Sequence, residues 1–162
     1  MTELSIGALP AAPLHALELW SNPAKAAARI KKACGLALPE TGRAASKGEL
    51  RLIRYEPTVW LVEGDVAPLA GALGDDGALT AIGGGTVRVE IKGPRWRRLL
   101  MEGGVFDAEN AAFAPGCSAS TVIDHVNVRL LVTAEDTCLA YVPASYAADM
   151  IHFWQVAAQA LD

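Results

Sequence analysis

The chain has few side chains that do chemistry, and none of them stand in a recognised motif order. Its three cysteines, Cys34, Cys117 and Cys138, are odd in number and match no paired-cysteine metal spacing. They read as reduced thiols in a reducing compartment. Its three histidines, His15, His125 and His152, lie far apart, and none has a partner ligand at i+3 or i+4, so no zinc pattern forms. There is no Gly-x-Ser-x-Gly, and no cysteine sits near a histidine and asparagine in nucleophile order. The triplet Gly83-Gly84-Gly85 falls between two predicted strands rather than ahead of a helix, so it fails the context test for a phosphate loop. No apolar run approaches the ~18 residues that span a bilayer. The start of the chain has acidic Glu3, no basic region, and Pro10 and Pro13, which does not describe a secretory signal. These absences lead us to expect a soluble cytoplasmic protein. The net charge of −4 and pI of about 5.4 count against nucleic-acid binding.

Core-forming material is abundant. With 162 residues, 52% of them hydrophobic, the chain can fill one compact domain or two small lobes sharing a core. We expect a single domain over 1–162, with a boundary between halves near 77–85. Residues 1–20 are apolar but broken by proline, and read as an extended arm or short strand. Asn22-Pro23 is a helix start, with Asn22 as the cap, and Gly35 is its stop. Residues 36–48 read as a loop. Residues 50–55 and 59–62 read as a hairpin. Asp65 caps a short helix carrying Leu69 and Leu73, and Ala78 to Ile82 forms a strand. Late in the chain, 120–132 is one long β-prone run with a bulge or turn near Asp124-His125. Cys138 to Val142 is a strand. Ser145 caps a last helix whose stripe is Ala147, Met150, Ile151, Trp154, Ala158 and Leu161.

The most specific text runs from Gly83 to Gly116. Val87, Val89 and Ile91 alternate with Arg88, Glu90 and Lys92, which marks a half-buried strand. Gly93 breaks it, Pro94 suits the first position of a helix, and Trp96, Leu99 and Leu100 form that helix's stripe. The run Arg95-Trp96-Arg97-Arg98 is the strongest polar feature. Three guanidiniums near a helix start could hold carboxylate or phosphate, or they could pair with acidic groups on this chain or a partner. His125 beside Asp124 is a candidate acid–base pair, but adjacent strand residues point to opposite faces. Read in order from Asn22, the elements are α-β-β-α-β and then β-α-β-β-α. That is an α+β fold of two similar split βαβ halves.

The run Val87 to Pro94, Leu99-Leu100 with Gly103, Phe113-Ala114-Pro115-Gly116, and Tyr141 to Ala147 together resemble the gamma subunit family of heterotetrameric sarcosine oxidase. More distantly they resemble the folate-binding aminomethyltransferase fold of the glycine cleavage T-protein. The resemblance implies an α+β fold with ferredoxin-like halves, mixed or antiparallel sheets, and helices packed on them. It implies a non-catalytic subunit that buttresses larger subunits of a hetero-oligomeric oxidase. That enzyme would demethylate sarcosine oxidatively, with flavins on partner subunits and tetrahydrofolate taking the methyl carbon. No cofactor is expected on this chain, although tetrahydrofolate stays open as a ligand, and the isolated chain would self-associate. The T-protein's catalytic aspartate is not carried onto Asp124, because the loop that surrounds it in that family is missing here. The candidate site residues are therefore Arg95, Arg97 and Arg98, for a ligand or a partner, with no catalytic residue and no metal ligand. The alternatives are a stand-alone folate or small-anion binder and, third, a tRNA-related module. The acidic balance and the lack of an aromatic-interleaved basic strand oppose the last.

Overall fold

A computed structural model describes residues 3–161. The chain forms two compact units: Ala12–Gly83, and the residues up to Ala11 together with those from Gly84 onward. Ten strands, four α-helices and three single 3-10 turns account for the regular structure of the described residues.

The Ala12–Gly83 unit contains β2 (Leu14–Leu19), α1 (Pro23–Cys34), β3 (Arg43–Lys47), β4 (Leu50–Arg54), β5 (Val59–Glu63), α2 (Ala67–Leu73) and β6 (Gly77–Ala81). Its sheet is antiparallel in the order β3-β4-β5-β2-β6. Leu17, Leu19, Leu52, Trp60 and Val62 from the strands meet Ala26 and Ile30 of α1 and Leu69, Ala72 and Leu73 of α2 in one core. Arg51 and Glu63 stand opposite each other on β4 and β5 and form an ion pair at 2.9 Å, with the Glu63 carboxylate buried.

The other unit contains β1 (Ser5–Ala8), β7 (Thr86–Lys92), α3 (Trp96–Met101), β8 (Ser118–Ile123), β9 (Val126–Ala134), β10 (Thr137–Pro143) and α4 (Ala147–Ala160). Its sheet is also antiparallel, in the order β1-β7-β10-β9-β8. Val89, Ile91, Val128, Leu130 and Val132 pack with Trp96, Leu99 and Leu100 of α3 and with Met150 and Trp154 of α4.

The two units repeat one plan. Each runs strand, helix, three strands, helix, with a last strand at the edge beside the first. In one unit that last strand is β6, which directly follows α2. In the other it is β1, supplied from the start of the chain. The junctions also match in spacing: three residues separate β2 from α1 and β7 from α3. The last of the three, Asn22 (φ 43°) or Arg95 (φ 70°), is left-handed in each. The α+β fold with two similar halves is thus the observed one.

Several local expectations are corrected. The arm over 1–20 is two strands, one in each sheet, with β2 paired on both sides. Asn22 makes no side-chain cap; its amide turns to Asp76 instead. The 36–48 loop contains edge strand β3, whose sequence RAASK has no apolar alternation to betray it. Helix α3 starts at Trp96, two residues after Pro94, because Arg95 is left-handed. The turn expected near Asp124-His125 is present: the run over 120–132 is a hairpin that folds back at Asp124 (φ 45°) and His125 (φ 66°), the positive pair that a tight two-residue turn requires. Ser145 lies in a single 3-10 turn ahead of α4 and caps nothing through its side chain.

Candidate functional site

The three arginines sit at the β7–α3 junction, which backbone geometry fixes. Gly93 takes φ 123°, and a Cβ there would lie 2.8 Å from the carbonyl oxygen of Glu3, so β1 can pass close only because this residue is glycine. Arg95, Trp96, Arg97 and Arg98 then border an open depression of about 360 Å³ that Glu109, Glu135 and Asp136 also line.

The junction brings the guanidiniums to one place but gives them different partners. An Nη1–H of Arg95 donates to the carbonyl of Leu161, joining the start of α3 to the end of α4. Arg97 lies over the Trp96 ring at 4.3 Å and donates from Nη1 to the carbonyls of Ala108 and Phe113, both at 2.7 Å. Phe113 in turn meets Phe106 edge-on at 4.8 Å between centroids, and Trp96 Nε1–H donates to the Glu135 carbonyl at 2.9 Å. Arg97 therefore anchors the loop between α3 and β8. Arg98 is exposed, and among the described residues it has no hydrogen bond or ion pair.

The other candidates stand apart from this cluster. Asp124 and His125 occupy the exposed tip of the β8–β9 turn. His152 is exposed on α4. Cys138 is fully buried, and burial pushes its thiol up to about 12, so it is inert as a nucleophile near neutrality. Among the described residues, no three His, Cys, Asp or Glu side chains gather as metal ligands do. None of the helices there is long and apolar enough to cross a membrane.

Sequence reasoning missed one polar cluster. Asp76 accepts hydrogen bonds from Ser21 Oγ–H at 2.6 Å, Asn22 Nδ2–H at 2.9 Å and Arg29 Nη2–H at 2.6 Å. The hydroxyl and amide bonds, then the guanidinium, hold its carboxyl well below the usual range. Arg29 also donates to the carbonyls of Ala72 and Leu73, satisfying the last turn of α2. The cluster ties the start of α1 to the end of α2, as Arg95 ties α3 to α4. Its only trace in the sequence is Asp75-Asp76-Gly77, which reads as a plain turn.

Comparison with known proteins places this architecture. The model of the sarcosine oxidase gamma subunit family matches residues 20–161. The chain belongs to that family. Among solved structures, this gamma-family chain is similar to a chain of the heterotetrameric sarcosine oxidase from Corynebacterium sp. U-96, solved in complex with pyrrole 2-carboxylate. The TM-score is 0.86 at 18% identity, over 96% of this chain and 84% of that one. It is also similar to the glycine cleavage system aminomethyltransferase T from Bartonella henselae, at TM-score 0.71 and 16% identity. There it covers 94% of itself and 45% of the larger protein, a little under half. At these identities the structural likeness speaks for fold. No curated protein sequence matches the chain.

Proposed function

We propose that this gamma-family chain is a non-catalytic subunit of a sarcosine oxidase-like flavoenzyme complex, where it buttresses a larger subunit. The reaction would be oxidative demethylation of sarcosine coupled to tetrahydrofolate, with flavins on the other subunits. The observation that carries the reading is the family match over residues 20–161. The site geometry supports the non-catalytic half. Arg97, the guanidinium best placed to fork onto an anion, already donates to two backbone carbonyls and stacks on Trp96. A polyglutamate tail entering the same depression would meet Glu109, Glu135 and Asp136. The acidic lining of this depression favours the subunit over the stand-alone binder, and no chemical step is assigned to this chain.

The test is an assay of the purified chain with sarcosine, tetrahydrofolate and added flavin. The expected result is no rate above background, together with a flat calorimetric titration by tetrahydrofolate. A rate that disappears in Asp124→Asn would overturn the reading.

A further inference from the structure

The outward face of α4 is nearly without charge. Opposite the buried Met150–Trp154 stripe, the helix exposes Ala148, His152, Gln155, Val156 and Gln159, and Asp149 is its single charged residue. Helix α1, of similar length, exposes Lys25, Arg29, Lys31 and Lys32. Charge of that kind is what a helix facing water ordinarily carries.

The apolar surface continues beyond the helix. Phe153, one turn before Val156, lies against Gly103: a Cβ on Gly103 would come within 2.8 Å of Phe153 Cζ and 3.5 Å of the Asp124 nitrogen. Gly104 bridges Ile123 antiparallel, which makes Val105 and Val122 neighbours in register. Val105 is 93% exposed, Val156 52% and Val122 42%. Val105 thus lies two residues from the Gly103 that meets Phe153, and Val122 two residues from the Asp124 beside that glycine. Val156 is one turn along α4 from Phe153, and the exposed acidic residues Glu102, Asp124 and Asp149 flank the same junction. A contiguous exposed apolar patch with a polar rim marks a contact surface.

We propose that this face docks a larger subunit of the oxidase, one presenting an apolar centre bounded by lysine or arginine. The proposal rests on the subunit reading above. Charge decides against a second copy as the occupant. In a two-fold pairing the patch meets itself, which would set Glu102, Asp124 and Asp149 against their like, whereas a basic rim complements them.

The experiment co-expresses the full chain with the larger subunits of a sarcosine oxidase-type complex, and measures affinity between the purified components. Val156→Glu puts a charge at the centre and should weaken binding on the order of a hundredfold. Glu102→Lys reverses one rim charge; it should weaken binding and flatten its salt dependence. Lys25→Glu with Lys32→Glu on α1 should change neither. Val156 is 52% exposed and Glu102 is also exposed, so melting curves matching wild type confirm the fold of each variant. If wild type binds and both patch variants bind equally well, the docking face is wrong and the subunit reading stands. A wild-type homodimer that Val156→Glu dissolves would also overturn the proposal, in favour of self-association. Failure of wild type to bind any larger subunit overturns both.

Discussion

Trp154 shows how far a single residue could be read from the sequence. Its place in the stripe Ala147, Met150, Ile151, Trp154 predicts burial, and it is fully buried in the core beneath α4. Burial of the indole on this face is a matter of helical period, which sequence carries directly. What sequence cannot carry is the orphaned Nε1–H, which has no hydrogen-bond partner among the described residues. Trp154→Ala should cost about 3–5 kcal/mol, as large-to-small changes do in packed cores. Trp154→Phe should cost much less, because it keeps most of the ring and loses no hydrogen bond. Urea denaturation of the three proteins measures both. A loss under ~1 kcal/mol for the alanine variant would mean the side chain is not packed as described. The arginines were less legible. Their clustering was written in the sequence, but the carbonyls that Arg97 meets come from Ala108 and Phe113, on a loop whose path no local pattern specifies.

Elements were legible where the apolar period is strong. Helices α1 and α4 and strands β4, β5, β7 and β10 all follow from period and punctuation. Strand β3 did not emerge, and β1 and β2 emerged only as one extended arm or short strand, each for its own reason. Ser5–Ala8 is four residues of low β-propensity, Leu14–Leu19 follows Pro13 and mixes both faces, and β3 is a small, polar edge strand. Without them the repeat could be seen only as two rough halves, and the supply of β1 to the second sheet could not be seen at all. Also invisible was the Asp76 cluster that ties α1 to α2, because Ser21, Asn22 and Arg29 lie about fifty residues away. Its contribution depends on pH. The Asp76 carboxyl is depressed in the folded chain, so its stabilisation is complete above the ordinary unfolded value of about 4. As pH falls below that value, the unfolded chain binds the proton first. The contribution then shrinks, and it is lost once the folded carboxyl protonates. Thermal melts of wild type and Asp76→Asn should therefore differ by a constant interval from about pH 7 to about pH 5 and converge below about pH 4. A gap that widens in acid would contradict the assignment.

At the scale of the molecule, the resemblance read from the Gly83–Gly116 stretch and the Tyr141–Ala147 junction pointed to the family that the match over residues 20–161 shows. Order and spacing of ordinary motifs were enough for that. Function was less legible, since a buttressing subunit is marked by surfaces rather than motifs. A nearly uncharged helix face reads as a helix in sequence, and the Gly104–Ile123 bridge that sets Val105 opposite Val122 leaves no local pattern. The central claim is that this chain works as part of a hetero-oligomer. The most direct measurement is the native mass of what co-purifies with the tagged full chain after co-expression with the larger subunits of a sarcosine oxidase-type complex. The account predicts a single species containing this chain together with larger, flavin-bearing subunits. Recovery of the chain by itself, as a monomer or as a homo-oligomer, would contradict it.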